Sequence, residues 1–126
     1  MKDSAKLETG MATRRAVLGD EYVNQAMANT TDFDRPFQEL ISETAWGTVW
    51  SDPTLTHRER SMLTLALLAA TGNFAEIPMH IRAIKNTGAS EDDVMQTFLH
   101  VAIYAGIPAA NRAIQLAKQT FAEMEN

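Results

Sequence analysis

Residues 74–83, FAEIPMHIRA, set Glu76 and His80 four positions apart. On a helix that spacing is one turn, so both side chains would share a face. Histidine titrates nearest neutrality of all side chains, and a carboxylate beside it either orients the ring or raises its pKa. The pair therefore has the makings of a proton donor or acceptor. Spacing alone favours an ordinary surface pair, because such neighbours are common on helices. Pro78 lies between them. It lacks an amide hydrogen and disfavours helical geometry at Ile77. The expectation is a helix that starts near Pro78, with Glu76 in the entering turn, or one that bends there.

Other chemistries are poorly supplied. The chain has no cysteine, which removes disulfides, thiolate metal sites and thiol redox mechanisms together. A metal site needs three or four ligands, and His57 and His100 fall in helices other than that of His80. No GxGxxG, GxxxxGK[ST] or GxSxG string is present, so nucleotide and serine-nucleophile chemistry have no support.

Seven arginines stand against four lysines in an otherwise acidic chain. Guanidinium groups grip carboxylates in a bidentate manner, so an anion site is one reading, and solvated helix faces are the other. Arg60 is the best candidate, because it enters the very apolar segment SMLTLALLAA, where a charge needs a partner. Arg82 lies two residues past His80, about 200° round an ideal helix, so the two do not share a pocket. Trp46 and Trp50 read as core or subunit-interface residues. Tyr104 sits at a helix end, where its hydroxyl reaches either a pocket or water. His100, between Leu99 and Val101, reads as an interior or interface histidine.

These residues ride on a chain that reads as helical throughout. At 126 residues, with 45% hydrophobic residues, it is one domain, residues 1–126, able to bury a core. The net charge of −5 argues against nucleic acid as a partner. The polar N-terminus carries no secretory signal, and the longest apolar run, Leu65 to Ala70, is too short to cross a bilayer. A cytoplasmic protein is the expectation.

A first helix runs from about Asp3 to Leu18 and stops at Gly19. Asp34 is the expected N-cap of a helix carrying Phe37, Leu40, Ile41 and Trp46. Thr56-His-Arg-Glu59 has the form of a capping box, and the apolar helix that it opens belongs at a bundle centre. Gly88 closes the next helix, and Ser90-Glu-Asp-Asp93 opens another with three acids at its positive end. Gly106 and Pro108 separate it from a last helix with a stripe of Ala109, Ala113, Leu116, Ala117 and Phe121. Counting these signals predicts an all-α bundle of about six helices.

Five segments, GMATRRAVLGDEYV, DFDRPFQELISETAWGTVW, Arg60-Ser61, EIPMHIRA and AIYAGIPAAN, occur in the order found in the carboxymuconolactone decarboxylase family. The resemblance runs from about Thr9 to the last helix. It implies the alkylhydroperoxidase D-like fold and a homo-oligomer, typically a hexamer. It also implies cofactor-free loss of carbon dioxide from 4-carboxymuconolactone, giving 3-oxoadipate enol-lactone in the protocatechuate branch of the β-ketoadipate pathway. The peroxidase branch of the wider family carries CxxCxxxH. Laid on His80, that motif puts its cysteines at Asn73 and Glu76, and its relay glutamate near Ser61. All three acids and thiols are missing, so peroxidase activity is not carried over.

On this resemblance the substrate is a small lactone bearing two carboxylates, and its own ring carbonyl accepts the electrons released. His80 would donate the proton to carbon, or a hydrogen bond to the lactone oxygen, with Glu76 setting its protonation. Arg60 and Arg15 would hold the retained carboxylate, and Trp50 and Tyr104 would wall the pocket. Two rivals remain: the same fold acting on another small carboxylated substrate, and a non-catalytic helical oligomer.

Overall fold

The computed structural model describes residues 4–125. Along them run α1 (Ser4–Leu18), α2 (Asp20–Asn29), α3 (Arg35–Ile41) and a π-helix (Ser42–Trp50). There follow α4 (His57–Ala70), a 3-10 turn (Phe74–Glu76), α5 (Ile77–Thr87), α6 (Glu91–Tyr104) and α7 (Ile107–Met124). The fold is all-α, of the alkylhydroperoxidase D-like kind, with seven α-helices among the described residues where the sequence signals predict about six. The additional one is α2, in a stretch the sequence reading leaves unassigned. The described chain divides into two compact units, one ending at Thr56 and the other beginning at His57.

In the N-terminal unit α1 lies along the π-helix. Two glycines permit this closeness. A Cβ on Gly10 would stand 1.8 Å from the Ser42 carbonyl oxygen, and one on Gly47 would stand 2.4 Å from that of Lys6. Side chains support the wide turns: the Thr48 hydroxyl donates to Glu43 O, and Ser51 Oγ donates to Trp46 O at 2.6 Å. Because Ser51 spends its proton there, Thr13 Oγ1 donates to it at 2.7 Å and ties α1 to the end of the π-helix. Trp46 and Trp50 are both buried, their rings 5.2 Å apart, as a core reading of the pair predicts.

Two local expectations change here. The single helix drawn through Phe37 and Trp46 is instead α3 followed by the π-helix, and Phe37 and Leu40 stay exposed. Asp34 does occupy the N-cap position, but its carboxylate turns back to accept from the Thr31 amide at 2.7 Å and caps nothing in α3.

The C-terminal unit is a four-helix arrangement in which α4 and α7 each pack on both α5 and α6. Its core is built from Leu65 and Ala69 of α4, Ile77, Ile81 and Ile84 of α5, Phe98 and Val101 of α6, and Ala113 and Ala117 of α7. Gly88 stops α5 in the left-handed conformation that favours glycine, φ 88°. Ser90 then opens α6 with a full capping box: its hydroxyl accepts from the Asp93 amide, and the Asp93 carboxylate accepts from the Ser90 amide. The same carboxylate takes two bonds from Arg58 at 2.7 and 2.8 Å, which ties the start of α4 to the start of α6.

The apolar α4 does not sit at the centre of a bundle within one chain. Ser61, Leu65 and Ala69 form its buried stripe, whereas Leu63 and Leu67 are 50% and 63% exposed.

Candidate active site

His80 owes its position to the register of α5. Ile77, His80, Ile81, Ile84 and Thr87 recur at spacings of three and four, which turns them all to the core, while Arg82, Lys85 and Asn86 face solvent. Pro78 fits because α5 begins at Ile77, so the proline occupies the first turn, where its missing amide hydrogen costs no helical bond. The helix thus starts at Pro78's neighbour.

Glu76 lies outside that helix, at the N-cap position, and its side chain is exposed without capping the turn. Burial alone moves the His80 pKa, down from 6.5 to about 4. This is the opposite direction from the one a neighbouring carboxylate would give. At neutral pH His80 is therefore a neutral imidazole, with one nitrogen a donor and the other an acceptor.

The remaining candidates are distributed over both units. Arg60, half-buried in the first turn of α4, and Tyr104, at the end of α6, belong to the C-terminal unit with Glu76 and His80. Tyr104 is 79% exposed and stacks on His100, ring centroids 4.8 Å apart. His100 is itself exposed, which corrects the interior reading. Arg15 and Trp50 belong to the N-terminal unit. Arg15 bonds Asp20 at 3.1 Å and Asn24 at 2.8 Å on a half-exposed surface. Arg82 pairs with Glu123 at 2.6 Å, a surface bridge between α5 and α7.

Two features escape sequence reasoning. Ser61, wholly buried, donates from Oγ to Thr87 Oγ1 at 2.8 Å and closes a polar pair between α4 and α5. Arg14, and not its neighbour Arg15, is the buried arginine of the N-terminal unit, 5% exposed. The signal available for it was the spacing Leu7, Met11, Arg14, one face of α1. Among the described residues no three histidine, aspartate or glutamate side chains converge as a metal site would need, and no helix is long and apolar enough to cross a membrane.

An all-helical fold with a desolvated histidine and no thiol leaves no thiol redox chemistry and keeps an imidazole for acid-base work. The sequence comparisons give the class of protein. The Carboxymuconolactone decarboxylase family profile matches residues 35–119. A 4-carboxymuconolactone decarboxylase of Acinetobacter baylyi is 40% identical over 124 residues, 98% of this chain and 92% of that protein. A nitrosuccinic acid decarboxylase of Metarhizium robertsii is 41% identical over 117 residues, 93% of this chain and 82% of that protein. The chain belongs to the carboxymuconolactone decarboxylase family, and it is a carboxy-lyase.

Proposed function

We propose that the protein decarboxylates 4-carboxymuconolactone to 3-oxoadipate enol-lactone, with His80 as the central group. The carboxylate leaves as carbon dioxide, and its bonding electrons pass through the ring double bond to the lactone carbonyl oxygen. A proton from water then completes the carbon left behind. A neutral imidazole suits this sequence as a hydrogen-bond donor to the oxygen on which charge accumulates, where a fixed donor in a dry site is most effective. The single observation that carries the reading is the burial that holds His80 neutral. Of the two roles the resemblance allows, donation to the lactone oxygen is thus preferred over direct protonation of carbon.

Glu76, in solvent at the start of the same helix, is assigned the exchange of the proton with water. Arg60 holds the retained carboxylate. Arg15, Trp50 and Tyr104 remain assigned to the substrate on the strength of the family resemblance alone.

The nitrosuccinic acid decarboxylase relative supports a second reading, a small acyclic dicarboxylate. Both substrates share one demand: the carbanion left by carbon dioxide is delocalised onto oxygen, either a lactone carbonyl or a nitro group. One experiment separates them. Chelator-treated protein is mixed with each substrate, and the product is followed by mass. Turnover of the lactone supports the first reading, turnover of nitrosuccinate alone replaces it with the second, and inertness to both overturns the pair.

The working form is a homo-oligomer, a hexamer in the family manner. Support comes from the outer face of α4 and α6, where Leu63, Leu67, Leu99 and Ile103 are 47–76% exposed with no charged residue among them. Native mass spectrometry tests it, and a monomer would overturn it.

A further inference from the structure

α3 is amphipathic the wrong way round for a helix of a lone chain. Phe33, Phe37 and Leu40 are 94%, 59% and 56% exposed, whereas Gln38 and Glu39 are half-buried and Ser42 is buried. The arrangement follows from helical phase. The Arg35 amide donates to Thr31 O at 2.9 Å, so α-type pairing reaches back past Phe33. At 100° per residue, Phe33, Phe37 and Leu40 fall within an arc of about 60°. Arg35, Gln38, Glu39 and Ser42 cluster on the opposite side, where all four line a cavity with Leu7 and Met11 of α1.

The inward side is pinned, so the helix cannot roll to hide its apolar residues. Gln38 Oε1 accepts from Arg14 Nη1 at 3.1 Å, and the Ser42 carbonyl lies against α1 at Gly10. Two phenylalanines and a leucine are therefore held in water on one short helix. Soluble chains turn such a stripe to their own core, and one held outward marks a face that is covered in the assembled protein.

We propose that this stripe is a two-fold contact, in which α3 packs antiparallel on the α3 of a second copy of the chain. A two-fold axis needs a surface that is its own complement. The stripe has that form with Phe37 at its middle, since Phe33 lies four residues before it and Leu40 three after. On the axis Phe37 meets its own counterpart, and Phe33 of each copy meets Leu40 of the other. No charged residue falls within the arc, so like charges are not brought together there. The three side chains expose on the order of 400 Å² per copy, and the pair covers about 800 Å², short of the ~1,000 Å² of a free-standing interface. The contact therefore rests on the homo-oligomer reading above, in which the outer face of α4 and α6 supplies another. A six-copy assembly with two-fold axes uses more than one kind of contact.

The chain has no cysteine, so single-cysteine variants of the full-length protein report on this contact alone. Oxidised Phe37→Cys should run as a covalent dimer on a non-reducing gel. Phe33→Cys and Leu40→Cys should each stay monomeric on that gel, and should cross-link to one another when the two chains are co-expressed. Phe37→Glu sets two carboxylates against each other on the axis and should halve the native mass, with helix content by circular dichroism unchanged. Co-expression with Phe37→Arg should restore the full mass. A wild-type monomer would overturn the homo-oligomer reading and this contact together. A wild-type oligomer in which Phe37→Cys gives no covalent dimer, or in which Phe37→Glu keeps the full mass, would overturn the contact and leave the oligomer standing.

Discussion

Glu76 and His80 are separated by the first turn of α5 in such a way that the carboxylate stays in solvent while the imidazole lies in the core, 8% exposed. Four residues of sequence thus span the change from water to a dry interior. The ring is therefore neutral at neutral pH, and the carboxylate meets water.

Replacing the ring tests its part in the reaction. His80→Ala should lower turnover of the decarboxylation substrate by roughly 10²–10³, the usual contribution of a hydrogen-bond donor aimed at a developing oxyanion. Helix content and assembly should persist. Initial rates of carbon dioxide release, measured beside circular dichroism, check both halves. Near-normal turnover would remove His80 from the site.

The same burial makes stability depend on pH. The folded-state pKa of His80 is about 4, below the ordinary 6.5, so the unfolded chain takes up a proton over that interval and the folded chain refuses it. The stabilisation is complete above pH 6.5 and is lost as pH falls toward 4, by on the order of 3 kcal/mol. His80→Gln should flatten this slope. Urea unfolding at a series of pH values between 6.5 and 4 reads it.

Arg60 has a separate signature. Arg60→Met should raise KM for a dicarboxylate substrate, with little penalty on an analogue lacking the retained carboxylate. Arg15→Gln is the parallel measurement for the N-terminal unit. Equal losses on both substrates would end the carboxylate role for the residue concerned.

Gly10→Ala should be among the most damaging single-methyl additions in the chain. The new Cβ meets a backbone carbonyl at 1.8 Å, so α1 or the π-helix must move as a whole. Overpacking of this kind costs roughly 1–3 kcal/mol or more, read as a lower midpoint in urea. Ser42→Ala, which leaves the backbone contact in place, should not reproduce it.

At the start of α6, Ser90→Ala should cost about 1 kcal/mol through the lost N-cap. Asp93→Asn should also destabilise, because its carboxylate serves the capping box and both Arg58 bonds at once. Those bonds hold its pKa well below the usual carboxylate range, so its contribution is present above about pH 4 and fades as pH falls further.

Much of this was legible in the sequence, and the exceptions have physical causes. The face of α5 could be read from its residues because Ile77, Ile81 and Ile84 fix its rotation and carry His80 inward with them. Ser90 and Gly88 could be read because caps act locally. The π-helix could not: SETAWGTVW has ordinary helical preferences, and the close approach to α1 at Gly10 and Gly47 brings together residues far apart in sequence. Arg14 and Arg15 stand about 100° apart on one helix, and the packing of α1 along the π-helix decides which of them is buried. The apolar SMLTLALLAA was read as a bundle centre because its composition does not say whether the cover comes from its own chain.

The π-helix also bears on how this chain can change in length. Each of its turns holds more residues than an α-turn, so removing one residue from 42–50 lets the segment revert to ordinary α-helical pairing. Reversion would turn Trp46 and Trp50 relative to one another and take the Ser51 hydroxyl off both Trp46 O and Thr13. In this stretch the number of residues, as well as their identity, is under structural control. A deletion that leaves every side chain type in place would be felt as strongly as the loss of a tryptophan.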